Sequence, residues 1–163
     1  MKFPVCQKCI KKNELCDKCK DIPISKEELI LYKNIYNVLK NEEHIRDVEI
    51  KRIFFNEKLS IIVCKKQDVP KMIGKNGIFA KKIEKKLGKD IRIVSNEDEL
   101  PKFIKDVLHP STIIGINIVY DGDKEIYNIR LPSAERYLMK LDPILFKNII
   151  EELFKKTVEI KFE

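Results

Sequence analysis

The spacing of apolar residues divides most of the chain into short helices and strands. A run with helical spacing begins after Ser25 and reaches about Lys40, and Glu28 lies three residues after Ser25, as in a capping box that opens a helix. Apolar runs over residues 47–55 and 58–65 predict two strands joined by a short turn. The first half of the chain therefore begins with a helix and two strands.

Two helices and a third strand complete this half. A short helix ends at Ile73, and the next helix has apolar residues three or four positions apart until Gly88 ends it. Residues 91–94 then alternate as a strand does. The same order of elements returns at residues 98–108, 112–120, 125–131, 133–139, 143–155 and 157–162. The pattern predicts an α+β fold with an internal repeat.

The two copies differ in the turn between their paired helices. The first copy has Gly74-Lys75-Asn76-Gly77 there, and an alignment of the halves without gaps lays Lys140-Leu141-Asp142-Pro143 on it. Two glycines let another backbone come close, and the unpaired N–H groups of the next helix favour a phosphate. Pro143 offers no N–H group, and Asp142 would repel a phosphate. We expect a nucleic-acid clamp in the first copy only.

Positive charge is concentrated around the first of these turns. The 163-residue chain has a net charge of +7, and residues 65–89 alone hold nine lysines against two acidic residues. Residues 96–163 carry ten basic and thirteen acidic side chains. A lysine run is usually a solvated helix face, but this one coincides with a loop of the kind that binds phosphate. The charge pattern favours a nucleic-acid partner for the first copy.

Four of the five cysteines form a CxxC-x6-CxxC pattern near the beginning of the chain, at Cys6, Cys9, Cys16 and Cys19. Two close pairs of thiols can supply the four sulfurs of a tetrahedral site, and Zn²⁺ is the usual ion for such a set in a reducing cytosol. An iron–sulfur cluster and two disulfides are the alternatives. Because four protein ligands leave no coordination position open, the pattern predicts a structural zinc knuckle at residues 1–22.

Enzymes and membrane proteins are not indicated. The sequence has no Ser/His/Asp order, paired-carboxylate motif or GxxxxGK loop, and we interpret Cys64 as a buried strand residue and His44 and His109 as surface residues. No apolar run approaches the ~20 residues that span a bilayer, and the first residues lack the apolar core of a secretory signal. We expect a non-enzymatic, soluble, cytoplasmic protein.

The Gly74–Gly77 loop and the apolar residues around it resemble the GxxG loop of a KH domain, which clamps about four nucleotides of single-stranded RNA or DNA. The repeated order of elements, and residues 69–120 above all, resemble the paired type II KH domains of archaeal NusA-like proteins. This resemblance implies two modules, at residues 23–96 and 97–163, each with a three-stranded mixed sheet backed by helices. It also implies RNA binding and a role in transcription elongation or termination.

We therefore expect a single-stranded RNA-binding protein, with single-stranded DNA as a further ligand. By the resemblance, Ile73 and Ile78 match positions where the family lines its base-accepting groove. The expected nucleic-acid-binding residues are Ile73, Gly74, Lys75, Asn76, Gly77, Ile78, Lys81, Lys82, Lys85 and Arg92. Two alternatives remain open: an adaptor that docks on RNA polymerase or ribosome-associated proteins, and a duplex-DNA-binding protein that uses the knuckle and the basic helix.

Overall fold

A computed structural model describes all 163 residues and divides them into two compact units, unit 1 (Met1–Glu97) and unit 2 (Asp98–Glu163). The elements of unit 1 are α1 (Gln7–Lys12), α2 (Lys26–Leu39), β1 (Ile50–Phe55), β2 (Leu59–Cys64), α3 (Val69–Ile73), α4 (Ile78–Leu87) and β3 (Asp90–Val94). The elements of unit 2 are α5 (Leu100–Leu108), β4 (Gly115–Asp121), β5 (Lys124–Leu131), α6 (Glu135–Leu138), α7 (Pro143–Phe154) and β6 (Thr157–Phe162). The fold is a mixed α+β fold, as the sequence predicts.

The core of unit 1 lies between a three-stranded sheet and its helices. Strand β2 is the central strand, pairs antiparallel with β1 and parallel with β3, and is buried along its whole length. Helix α2 packs against α4, and side chains of both helices join β2 residues such as Ile62 and Cys64 in one hydrophobic cluster. This arrangement holds α4 against the hydrophobic core of unit 1.

The beginning of α2 confirms half of the predicted capping box. The Ser25 side chain accepts a hydrogen bond from the Glu28 N–H group at 3.1 Å. The Glu28 carboxylate does not return to Ser25: it is buried, and its Oε1 accepts from Tyr32 Oη at 2.6 Å, Arg52 Nε at 3.0 Å and the Ile53 N–H group at 3.3 Å. Burial and the Glu28 carboxylate raise the pKa of the Tyr32 hydroxyl. Glu28 therefore joins α2 to β1 instead of capping the helix.

The cysteine-rich segment is packed into unit 1. The Phe3 ring lies 5.3 Å from the Tyr32 ring, between centroids, and α1 packs on α2. The backbone of Lys2 exchanges hydrogen bonds of 2.8 Å with Val48 and Ile50, beside the start of β1. The buried residues of this segment, Val5, Cys9, Ile10 and Cys19, belong to the hydrophobic cluster of the unit. The proposed division at residue 22 remains a prediction.

Unit 2 repeats the order helix, strand, strand, helix, helix, strand. Its central strand β5 pairs antiparallel with β4 and parallel with β6. The rings of Phe103 on α5 and Phe154 on α7 lie 5.0 Å apart, between centroids. Arg130 and Glu163 form a two-pronged ion pair with N–O distances of 2.8 and 2.9 Å, which holds the pKa of the Glu163 carboxyl below its ordinary value.

Most differences from the predicted elements are at their ends. Strand β1 begins at Ile50 instead of residue 47, because residues 43–45 form a turn of 3-10 helix before it. Strand β4 begins at Gly115 instead of residue 112, since pairing with β5 starts there. Helix α5 begins at Leu100 instead of residue 98, with Pro101 in its first turn, where a missing N–H group is tolerated. None of the helices is long and apolar enough to cross a membrane.

Candidate nucleic-acid interface and cysteine cluster

The Gly74–Gly77 loop has a backbone that few other residues could adopt. Gly74 has φ +77° and ψ 171°, Asn76 has φ +56°, and Gly77 has φ +74°. Positive φ angles are readily adopted by glycine and are tolerated by asparagine, so three of the four residue types suit their conformations. The loop is closed by a hydrogen bond of 3.1 Å from the Gly77 N–H group to the Gly74 carbonyl oxygen.

Gly74 also makes a close contact that excludes a side chain. A Cβ atom placed there would lie 2.5 Å from Cδ2 of Phe79, whereas a Cβ atom at Gly77 would have no neighbour within 4 Å. Phe79 is buried and lies in the first turn of α4. The first glycine is therefore required by packing and by backbone conformation, and the second by backbone conformation alone.

The N-terminus of α4 is left open. Gly77 is its N-cap residue, and no side chain accepts a hydrogen bond from the first N–H groups of the helix. These groups carry the partial positive charge of a helix N-terminus, which attracts anions. Lys75, Lys81 and Lys85 are exposed and form no salt bridge. The loop and α4 thus offer hydrogen-bond donors and positive charge, the requirements of a phosphate site.

Lys82 differs from the other predicted lysines of α4. Its Nζ lies 3.4 Å from Oε1 of Glu42 and 5.6 Å from the centroid of the Phe79 ring. The ring of His44, on the 3-10 turn after α2, lies 5.9 Å from the same Phe79 ring. The sequence did not predict that Glu42 and His44 contact residues of α4, because no local pattern indicates contacts between residues that are about 35 or more positions apart.

The remaining predicted site residues, Ile73, Ile78 and Arg92, differ in their exposure and in their place in unit 1. Ile73 ends α3 and is half-buried, whereas Ile78 begins α4 and is 48% exposed. Arg92 lies on β3, an edge strand of the sheet, is half-buried, and donates from Nη1 to the carbonyl oxygen of Ile91 at 3.0 Å. The structure places Ile73, Ile78 and three of the predicted lysines on the two helices that flank the loop, Lys75 in the loop itself, and Arg92 on the sheet of the same unit.

The corresponding turn of unit 2 is closed. Asp142 has φ −64°, and its Oδ1 accepts a hydrogen bond from the Ile144 N–H group at 3.2 Å, which caps α7. Pro143 follows in the first turn, and Leu141 is buried. A carboxylate of the chain itself therefore occupies the place that an anion could take at the start of α4.

The four predicted cysteine ligands meet at one point of unit 1. All four Sγ atoms lie within 4.8 Å of one another, with 3.5 Å between Cys6 and Cys9 and 3.8 Å between Cys6 and Cys16. Sulfurs bound to one ion at about 2.3 Å in a tetrahedron are about 3.8 Å apart, so these separations fit a single metal ion. The cluster Cys6, Cys9, Cys16 and Cys19 could hold a metal ion, as the sequence predicts.

Hydrogen bonds and burial shift the pKa values of these thiols in opposite directions. Hydrogen bonds from the Cys9 N–H group and thiol lower the pKa of Cys6 to about 6, and a side-chain hydrogen bond with Cys9, followed by backbone bonds from Cys19 and Lys18, lowers the pKa of Cys16. Burial raises the pKa of Cys9 to about 12. A bound cation would stabilise the negatively charged thiolate of Cys9 in its buried position, because a thiol that coordinates a metal ion is deprotonated. Outside the cluster, burial raises the pKa of Cys64 to about 12.

Fold and loop together define a module of the class that binds single-stranded nucleic acid. The sequence profile of the KH domain matches residues 30–121, more than half of the chain, and the chain belongs to this family. The match extends from α2 in unit 1 to the end of β4 in unit 2. Because a KH domain is a non-enzymatic module that binds nucleic acid through its GxxG loop, the family indicates nucleic-acid binding.

Two individual proteins are similar over much of the chain. One is "GDP-fucose protein O-fucosyltransferase 2" of Plasmodium berghei (strain Anka), 26% identical over 113 residues, which are 69% of this chain and 23% of that protein. The other is the protein in "Crystal structure of APE1850", with a TM-score of 0.53 and 19% identity over 85% of this chain and 100% of that chain. This chain therefore spans less than a quarter of the length of the first protein. Its similarity to the second protein shows a shared fold.

Proposed function

We propose that the protein binds single-stranded RNA through unit 1, with single-stranded DNA as a second ligand. The N–H groups around Gly74–Gly77 and at the start of α4 hold a backbone phosphate. Lys75, Asn76, Lys81, Lys82 and Lys85 bind the neighbouring phosphates and sugars, and Ile73, Ile78 and the region of Arg92 border the bases. The observation that carries this proposal is the uncapped start of α4 beside a loop with three positive φ angles.

The test is fluorescence anisotropy with a single-stranded RNA oligomer of mixed sequence, over a series of salt concentrations. Lys75→Asp combined with Asn76→Asp should weaken binding about tenfold or more and reduce its salt dependence, because a phosphate contact is lost and repulsion is added. Aspartate tolerates the positive φ of residue 76, so the fold should persist.

Lys147 and Asn148 on α7 provide a matched control. They are consecutive and exposed, so Lys147→Asp combined with Asn148→Asp makes the same change of charge in unit 2. We expect this variant to bind RNA within about twofold of the wild-type protein, apart from long-range repulsion that salt screens. Equal losses in the two double variants would show that net charge, and not the loop, determines binding.

We also propose that Cys6, Cys9, Cys16 and Cys19 bind one structural Zn²⁺. The support is the fit of their Sγ separations to one tetrahedral ion and the participation of Cys9 and Cys19 in the core of unit 1. Bound zinc would add no open coordination position, so it would stabilise the fold and take no part in a reaction. Metal analysis of the purified protein, with one zinc per chain expected, tests this assignment.

The further features rest on the repeat and the family resemblance. We propose that residues 23–96 and 97–163 are tandem type II KH modules after a knuckle at residues 1–22, and that unit 2 has lost the clamp. The support is the equal order of elements and the equal pairing of strands in the two sheets. A cytoplasmic role in archaeal-type transcription elongation or termination is proposed from the resemblance to NusA-like proteins alone.

A second candidate function is that of a protein-interaction adaptor. Unit 2 exposes Tyr137, Leu138 and Ile144 by 85%, 67% and 69%, next to the closed turn that precedes α7. An exposed apolar cluster is a common feature of protein-binding surfaces. Pull-down from a cell extract, before and after nuclease treatment, separates the functions: protein partners such as RNA polymerase or ribosome-associated proteins that remain without RNA would favour the adaptor.

A further inference from the structure

His44 is an exposed side chain that shares a neighbour, the Phe79 ring, with the Gly74–Gly77 loop. Its ring lies 5.9 Å from the ring of Phe79, and the same Phe79 ring lies directly against Gly74, where an added Cβ atom would approach it to 2.5 Å. One aromatic ring therefore contacts both the backbone of the loop and the imidazole of His44. His44 therefore shares the Phe79 ring with the loop that we propose to hold nucleic acid.

Acidic and basic side chains lie on the segments around His44 in similar number, and Lys75 lies in the loop itself, so protonation of His44 would make the local charge more positive. On its own segment are Glu42 and Glu43, followed by Arg46 and Asp47; on α4 is Lys82; and on α3, which packs against this segment, is Lys71. Glu42 is paired with Lys82 at 3.4 Å, and Lys71 lies 3.7 Å from Oδ1 of the buried Asp68. Glu43 is exposed and forms no salt bridge, so an unbalanced carboxylate lies next to His44.

We propose that His44 is a nucleic-acid-binding residue whose protonation strengthens the hold of unit 1 on the phosphate backbone. Histidine is the side chain that ordinarily gains its charge between about pH 8 and pH 5. Protonated His44 would offset Glu43 and donate an N–H hydrogen bond to a phosphate next to the one held by the loop. Neutral His44 leaves that phosphate with no added positive charge to offset the carboxylate of Glu43. This inference rests on the proposed binding of nucleic acid by unit 1.

The test is the affinity for a single-stranded RNA oligomer of mixed sequence, measured by anisotropy at pH 5.5 and pH 7.5. The variants are His44→Gln, His44→Lys and, as a matched control, His109→Gln. His109 is exposed and is the only other histidine of the chain, so its variant reports any proton uptake that does not involve His44. All variants keep the four clustered cysteines, so a contribution from them is common to every protein.

For the wild-type protein and His109→Gln, we expect binding about three- to fivefold tighter at pH 5.5 than at pH 7.5. The log–log salt slope should be steeper by about 0.7 at the lower pH, the value of one additional phosphate contact on a single strand. His44→Gln should change less than twofold between the two pH values. His44→Lys should bind at pH 7.5 about as tightly as the wild-type protein binds at pH 5.5.

Two results would overturn this proposal: wild-type affinity that is equal at both pH values, or a pH response that His44→Gln retains. A role of His44 in packing against Phe79 alone predicts that His44→Gln weakens binding equally at both pH values and that His44→Lys does not restore it. Failure of the proposed function has a different result, because wild-type protein would then not bind the oligomer at either pH.

Discussion

Units 1 and 2 have the same order of elements, but they differ at the start of one corresponding helix. Helix α4 follows Gly77 without a side-chain cap, whereas α7 follows Asp142, whose Oδ1 accepts from the Ile144 N–H group at 3.2 Å. An internal carboxylate and an external phosphate compete for the same N–H groups. The difference teaches that the chain itself occupies the start of α7, whereas the start of α4 has no side-chain cap and is accessible to an anion.

The backbone before the two helices differs as well. Gly74, Asn76 and Gly77 all have positive φ angles in unit 1, whereas none of residues 140–143 does in unit 2. Leu141 is buried at 4% exposure in the second turn, where the first has the exposed Lys75. No single substitution would therefore convert one turn into the other, because the two turns differ in packing as well as in charge.

Removal of the proposed zinc ion should affect the two units most differently, because the cysteine cluster belongs to unit 1 alone. A strong chelator with a reductant should expose Val5, Cys9, Ile10 and Cys19, which join the core of the unit. Structural zinc contributes about 10–16 kcal/mol in small zinc-binding peptides, so unit 1 should lose much of its stability. Amide hydrogen exchange, read by mass spectrometry, measures the loss for each unit.

The exchange experiment distinguishes the two units directly. After removal of the ion, we expect the amides of α1 and α2 to exchange faster. The amides of β5 in unit 2 should exchange at the same rate as before. Readdition of Zn²⁺ should restore the protection and serves as the control for irreversible damage. Unchanged exchange in α1 and α2 after complete loss of the metal would contradict a structural role of the ion.

Replacement of Gly74 by alanine should have the next largest effect. A Cβ atom there meets Phe79 at 2.5 Å and requires a residue at φ +77°, so we expect a loss of about 2–4 kcal/mol in the free energy of unfolding. Gly77→Ala meets no neighbour within 4 Å and should cost about 1–2 kcal/mol from its backbone conformation. Urea unfolding compares the two variants, and equal losses would show that Phe79 yields to the added atom.

Replacement of Asp142 by alanine should have the smallest effect. Loss of the cap of α7 should lower the free energy of unfolding by about 1 kcal/mol, whereas Asp142→Asn should retain the cap and most of the stability. Neither change should raise the affinity for RNA, because Pro143 and the buried Leu141 still close this turn. A gain of RNA binding in Asp142→Ala would mean that the carboxylate alone separates the two units.

Local patterns in the sequence predict the elements and the cysteine cluster well. Ser25 caps α2 as expected, the four clustered cysteines meet, and β6 has the predicted bounds of residues 157–162. These features depend on residues that are neighbours along the chain, so spacing and residue type determine them. The residues expected to contact nucleic acid remain predictions, supported by the shape of the loop.

Contacts between distant parts of the chain could not be predicted in the same way. Glu28 fits a capping box by its spacing, but the half-buried guanidinium of Arg52 on β1 draws its carboxylate away from the helix end. The proximity of His44 to Phe79 and the packing of Phe3 on Tyr32 likewise depend on how the elements assemble. Hydrophobic spacing shows that such residues are buried or exposed, and it does not show which residues they meet.

The most direct test of the central claim is to follow the backbone amide signals of both helix starts by NMR while single-stranded RNA is added. We predict large, salt-sensitive shift changes for the amides of Gly77, Ile78 and Phe79, because a phosphate would bind at the start of α4 beside them. The amides of Ile144 and Leu145, at the start of α7, should not move, because Asp142 already caps that helix. Shift changes in unit 2 with none at the start of α4 would contradict the account.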